Sequence, residues 1–71
     1  MKNYEENICK NLKAEIEHST KTKSQIAKEV GISRPTLSQY LSGRALPSLP
    51  TFARLCEVLD CSANEILGLK P

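Results

Sequence analysis

The 71-residue sequence has no tryptophan, one phenylalanine and two tyrosines, and no uninterrupted apolar run longer than two residues. The short runs exclude a membrane-spanning helix, and the polar start Met-Lys-Asn-Tyr-Glu-Glu-Asn has no apolar stretch behind it to make a signal peptide. With valine and aromatics sparse and no segment alternating apolar and polar residues, there is no strand to form a sheet. The three cysteines, Cys9, Cys56 and Cys61, are odd in number and lack framework spacing; with His18 as the one histidine they complete no tetrahedral zinc site. The reading is free thiols in a reducing cytoplasm, mostly buried, and no metal. There is no glycine-rich phosphate loop and no Ser/His/Asp or Cys/His set with catalytic logic, so no enzyme activity and no cofactor are expected. A chain this short buries only about 60% of its unfolded surface, which leaves little room for a catalytic cleft.

What is present is 39% apolar and 25% charged residues, enough for a folded chain and too apolar for a disordered one. The net charge of +2 is unevenly placed. Residues 1–20 sum to −1, residues 21–44 to +4 through Lys21, Lys23, Lys28, Arg34 and Arg44 against Glu29, and residues 45–71 to −1. A basic middle between mildly acidic flanks points to a polyanion-facing surface, although Lys28 reads mainly as part of a solvated face.

Start and stop signals divide the chain into five helices. Asn3 with Glu6, Thr22 with Gln25 and Ser62 with Glu65 have capping-box spacing. Ser33 and Ser48 are each followed two residues later by a proline, which in a first turn loses only an N–H that had no helical partner. Gly31, Gly43 and Gly68 stand where left-handed residues close helices two, three and five. The spans are 4–17, 23–30, 34–42, 49–59 and 63–68. Apolar stripes predict a core of Ile8, Leu12, Ile16, Ile26, Val30, Ile32, Leu37, Phe52, Leu55 and Leu59, with Tyr40 at its edge. The fold class is all-α, with residues 1–71 forming one domain. His18, ending helix one, faces the helix dipole.

The stretch from Thr22 to Gly43, TKSQIAKEVGISRPTLSQYLSG, sets a small residue, Ala27, on the inner face of one helix, Gly31 at the turn and Leu37 on the inner face of the next. This resembles a helix-turn-helix. With Gly43-Arg44, Pro47-Ser48-Leu49, Phe52 to Leu59 and Asp60-Cys61-Ser62 to Ile66-Leu67, residues 8–69 are similar to the phage repressor and Cro class of DNA-binding domain, the XRE family. The resemblance implies a compact five-helix, lambda-repressor-like domain whose third helix enters the major groove while the second crosses the backbone. It also implies a repressor-like transcription regulator bound to double-stranded DNA as a homodimer on a palindromic operator, in a prokaryotic or phage setting.

With Leu37 and Tyr40 turned inward, helical spacing leaves Ser33, Arg34, Thr36, Ser38 and Gln39 on the outer face. Arg34 can donate two bonds to guanine O6 and N7, and Gln39 can pair with adenine N6 and N7. The family pattern places base contacts at Arg34, Pro35, Ser38 and Gln39, with Pro35 restricted to apolar contact. The start of helix two, Thr22, Lys23 and Ser24, offers free N–H groups and a positive dipole end to a phosphate; Ser42 and Arg44 match family positions that touch phosphate. Exposed Ser and Thr on helix three leave a protein partner as the alternative to DNA. Leu46, Leu67 and Leu69 are candidates for a small apolar self-contact.

Overall fold

A computed structural model describes residues 3–69, which form α1 (Tyr4–His18), α2 (Lys23–Val30), α3 (Arg34–Ser42), α4 (Leu49–Leu59) and α5 (Ala63–Leu67). Helix bounds agree with the sequence reading to within one residue. Each helix starts at a side-chain cap. Asn3 Oδ1 accepts from the Glu6 N–H at 3.0 Å, Thr22 Oγ1 from Gln25 at 3.1 Å, Ser33 Oγ from Thr36 at 3.1 Å and Ser48 Oγ from Thr51 at 3.3 Å. The fifth cap differs from expectation: Ser62 Oγ accepts from the Asn64 N–H at 3.2 Å, one residue earlier than its spacing with Glu65 suggested.

The helix ends explain where the chain turns. Gly31, at φ +89°, closes α2, and the Ala27 carbonyl accepts from both Gly31 N–H and Ile32 N–H at 2.9 Å. Gly43 closes α3 in the same way, with Arg44 N–H reaching back to the Gln39 carbonyl at 3.0 Å. The end of α4 carries no glycine; Asp60 takes the left-handed conformation at φ 52°, which a short polar side chain tolerates better than most.

Leu12, Ile16, Ile26, Ala27, Val30, Leu37, Tyr40, Phe52, Leu55, Cys56 and Ile66 make the core. Helix α1 packs on α3 and α5, and α2 packs on α3 and α4. Three corrections follow. Ile8, Ile32 and Leu59 are partly buried packing around this core rather than in its centre, because each lies near the end of its stripe or in a turn. Tyr40 is buried at 9% exposed, among the least covered members of the core, and Ile66 on the shortest helix, absent from the expected core, is fully buried. Leu67, expected at an exposed contact, packs partly against the core, while Leu49 is the most exposed leucine at 83%.

A helix of five residues is too short to stand alone. Two asparagines of α1 hold it: Asn7 Nδ2 donates to the Leu67 carbonyl at 3.3 Å, and Asn11 Nδ2 donates to the Glu65 and Ile66 carbonyls at 3.1 and 3.0 Å. These bonds satisfy carbonyls that a helix end leaves unpaired. Among the described residues no buried side-chain nitrogen or oxygen lacks a partner.

Two substitutions separate the parts of this fold. Leu37→Ala removes a fully buried side chain between α3 and the rest and is expected to destabilise by about 2–5 kcal/mol. Asn11→Ala removes the donor to two carbonyls of α5 that water can partly reach and is expected to cost about 0.5–1.5 kcal/mol. Urea denaturation of both variants against wild type checks the order.

Candidate nucleic-acid interface

The placement of α3 begins with Ala27. A side chain this small, 2% exposed, lets α2 and α3 approach where they pack, and the Gly31 turn then delivers Ser33 directly as the cap of α3. Leu37 and Tyr40 are buried inward. The opposite face consequently presents Arg34, Pro35, Ser38, Gln39 and Ser42, all exposed.

The expected base-reading residues divide into two groups. Ser33 and Thr36 are tied to each other: Ser33 Oγ accepts from the Thr36 backbone and lies 2.7 Å from Thr36 Oγ1, and Thr36 is half-buried. Their hydroxyls are engaged in starting the helix. Arg34, Pro35, Ser38 and Gln39 point outward. Arg34 Nη1 donates to Ser38 Oγ at 3.2 Å, one turn along, which lines the guanidinium up along the exposed stripe. The Gln39 amide has no hydrogen-bond partner among the described residues, so its donor and acceptor are available together.

Thr22, Lys23 and Ser24 stand exposed at the start of α2, where Thr22 Oγ1 is engaged as the cap. The first turn of α2 contains no acidic residue, nor does that of α3, whereas α1 begins with Glu5 and Glu6. The positive dipole ends of α2 and α3 are thus left uncompensated. Ser42 and Arg44 flank Gly43 at the far end of α3, both exposed, with Ser42 Oγ donating to the Gln39 carbonyl at 3.2 Å.

The charge map needs one correction. Lys21 does not face outward with the other cations: its Nζ lies 3.0 Å from Glu29 Oε1 and donates to the Val58 carbonyl at 3.4 Å. It ties the α1–α2 connection to α2 and to the end of α4, a structural role. Lys23, Lys28, Arg34 and Arg44 remain without an acidic partner among the described residues.

Lys23, Ser38 and Ser42 also share a groove with Leu41 and with a residue the sequence reading overlooked, Lys13 of α1. No local signal marks Lys13, because it lies in the net-acidic first segment. On the other side of Ser42, a second groove is lined by Asn3, Glu5, Glu6, Cys9, Gly43 and Leu46. Its two carboxylates repel an anion and bound the basic face there.

Among the described residues no group of three or more His, Cys, Asp or Glu comes together that could hold a metal ion, and no helix is long and apolar enough to cross a membrane. Of the three free thiols only Cys56 is buried; Cys9 and Cys61 are half-buried, correcting the expectation of buried thiols. Cys9 Sγ donates to the Leu41 carbonyl at 2.9 Å, linking α1 to α3. Cys56 and Cys61 meet across the end of α4, where Cys61 N–H bonds the Cys56 carbonyl at 3.0 Å. Burial raises both, and Cys61 is pushed up to about 12 by burial first, then by Cys56 and the carboxylates of Glu15 and Glu65.

Two α-helices joined by a glycine turn, with the second presenting an exposed polar face between uncompensated positive helix ends, define a helix-turn-helix. The Helix-turn-helix family profile matches residues 12–66. The chain is similar to the cryptic phage CTXphi transcriptional repressor RstR of Vibrio cholerae serotype O1, at 35% identity over 48 residues, covering 68% of this chain and 43% of that protein. It therefore spans less than half the length of that curated relative. Among solved structures it is similar to the SOS-response transcriptional repressor LexA from Eubacterium rectale, with a TM-score of 0.83 and 25% identity, covering 90% of this chain and 68% of the other. The chain belongs to the helix-turn-helix family.

The thiols give a pH prediction. With its folded pKa raised from 9.0 to about 12, Cys61 stays protonated in the fold after the unfolded chain has begun to ionise. The unfolded chain then binds fewer protons, so stability is unaffected below pH 9 and falls as pH rises from 9 toward about 12. Cys61→Ser is expected to show a shallower loss over that window in urea titrations, and wild-type Cys61 to alkylate slowly at neutral pH.

Proposed function

We propose that the protein is a sequence-specific, double-stranded DNA-binding transcriptional regulator of repressor type, acting on prokaryotic or phage DNA as a homodimer on a palindromic operator. The observation that carries this reading is the exposed stripe of α3, with Arg34 and Gln39 available for base edges between the bare start of α2 and the Ser42–Arg44 corner. Arg34 reads guanine through O6 and N7, Gln39 reads adenine through N6 and N7, and Pro35 and Ser38 fill the close approach, Pro35 by apolar contact. Ser33 and Thr36 stand at the entry of the same helix and contribute to base recognition through atoms left over from capping. Thr22, Lys23 and Ser24 hold one phosphate run; Ser42 and Arg44 hold another. These contacts set register and orientation, and the base contacts supply specificity.

Two recognition helices reading successive major grooves on one duplex face lie about 34 Å apart. The described chain measures 33 × 23 × 21 Å, so two copies at that spacing come close enough to touch. Leu46 between α3 and α4, Leu49 at the start of α4 and Leu69 after α5 are exposed apolar side chains available for such a contact. Three exposed leucines supply little apolar area, which favours a dimer that forms on DNA over one that is tight in solution.

Selection of bound sequences from random duplexes, combined with the mass of the purified complex, tests the proposal. A palindromic consensus and two chains per duplex are expected. Recovery of no consensus removes the reading and favours a protein partner. On the selected site, Arg34→Ala is expected to cost about 1–3 kcal/mol and to relax preference at one position per half-site; Arg44→Ala is expected to weaken all duplexes alike and to reduce the salt slope by about 1.

A further inference from the structure

Lys13 is separated from the helix-turn-helix by the last turns of α1 and by the connection to α2. The fold nevertheless sets it beside Lys23, Ser38, Leu41 and Ser42 around one open groove. Lys13 and Lys23 are both exposed, and neither has an acidic partner among the described residues. Two unpaired cations lining one concavity repel each other weakly in water and attract a shared anion together.

The rest of the groove suits that anion. Lys23 is the first residue of α2, whose opening turn carries no carboxylate, so the helix end adds its partial positive charge. The stripe Arg34, Ser38, Ser42 runs along α3 straight into this groove. A helix seated in a major groove has the phosphate ridge at its rim, and the rim here is the surface from which Lys13 and Lys23 project. Helix α1 also changes character along its length: Glu5 and Glu6 face the other groove, while Lys13 lies roughly 10 Å further along the axis.

We propose that Lys13 of α1, with Lys23, clamps one backbone phosphate of bound duplex DNA in the groove between α1, the start of α2 and the outer face of α3. This inference rests on the DNA-binding reading above. It makes α1 part of the interface as well as a scaffold for it, and it adds a contact that positions the protein without reading sequence.

The test measures affinity against salt concentration for the full chain on its selected duplex and on an unrelated duplex. The proteins compared are wild type, Lys13→Gln, the charge-retaining Lys13→Arg and, as a control, Lys10→Gln, an exposed α1 lysine that does not line the groove. Lys13→Gln is expected to weaken both duplexes by the same factor and to lower the slope of log K against log salt by about 0.9, so that between about 50 and about 200 mM salt it loses roughly fourfold less affinity than wild type. Lys13→Arg should keep the wild-type slope, and Lys10→Gln should change it little. An unchanged slope in Lys13→Gln overturns the clamp while leaving DNA binding intact, and so does an equal drop in Lys10→Gln, which would mean only diffuse charge. A wild-type protein that binds neither duplex overturns the DNA reading itself, and the clamp with it.

Discussion

The carbonyl of Ala27 accepts two hydrogen bonds, from Gly31 and from Ile32, and the direction of α3 depends on that double acceptance. Gly31 N–H also reaches the Lys28 carbonyl at 3.2 Å, and this closure demands a left-handed residue at position 31, which glycine supplies without a Cβ penalty. These bonds also fix the chain so that Ser33 arrives ready to cap the next helix. Once α3 starts there, its periodicity puts Leu37 and Tyr40 into the core and turns Arg34, Ser38 and Gln39 out. The face offered to a partner is thus the remainder left when a small number of local backbone bonds and two buried side chains have been satisfied.

Electrostatics follow from the same packing, and they differ from what the linear charge count suggests. The basic middle segment loses Lys21, which is drawn to Glu29 and to the end of α4, and the net-acidic first segment contributes Lys13 to the basic side. An exposed ion pair of this kind adds about 0–1 kcal/mol to stability, so its main effect is on where the charge sits. Glu5 and Glu6, sensible at the positive start of α1, mark the limit of the anion-attracting surface at the same time. The total charge of +2 describes none of this, because attraction to a polyanion depends on which unpaired cations share a face.

Most of the fold was legible because its determinants are local. Caps at Asn3, Thr22, Ser33 and Ser48, and the glycines at 31, 43 and 68, act within four residues of themselves, and stripes at helical spacing report burial directly. The misreadings fall where the cause is distant or ambiguous. Asp60 ends α4 in a conformation that aspartate adopts only sometimes, and Ser62 capped one residue from its expected partner. Ile66 was left out of the expected core, yet it is buried because α5 lies against α1, and Asn7 and Asn11 secure that contact across more than fifty residues of sequence. Nothing in a local window distinguishes these asparagines from solvated ones. The outward set on α3 was readable from Leu37 and Tyr40 alone, whereas the engagement of Ser33 and Thr36 with each other, and the arrival of Lys13 beside Lys23, required the packed structure.

Under the proposed DNA-reading role, the composition of α3 decides how affinity and specificity divide. Its outward face carries one arginine and one glutamine among prolyl and hydroxyl side chains, so few long groups compete for base edges and the helix backbone can approach closely. Few base contacts supply limited discrimination, about 1–3 kcal/mol for each good bidentate pair. Arg34 offsets part of the usual entropy loss, because its bond to Ser38 already restricts the guanidinium before any base is met. With so small a reading surface, most of the attraction has to come from phosphate contacts around the rim, which makes affinity steeply salt-dependent. Pairing two such surfaces multiplies discrimination without enlarging either one, since the second half-site is met at high effective concentration. A short helix of this composition therefore works best where symmetry in the DNA can double what one copy reads.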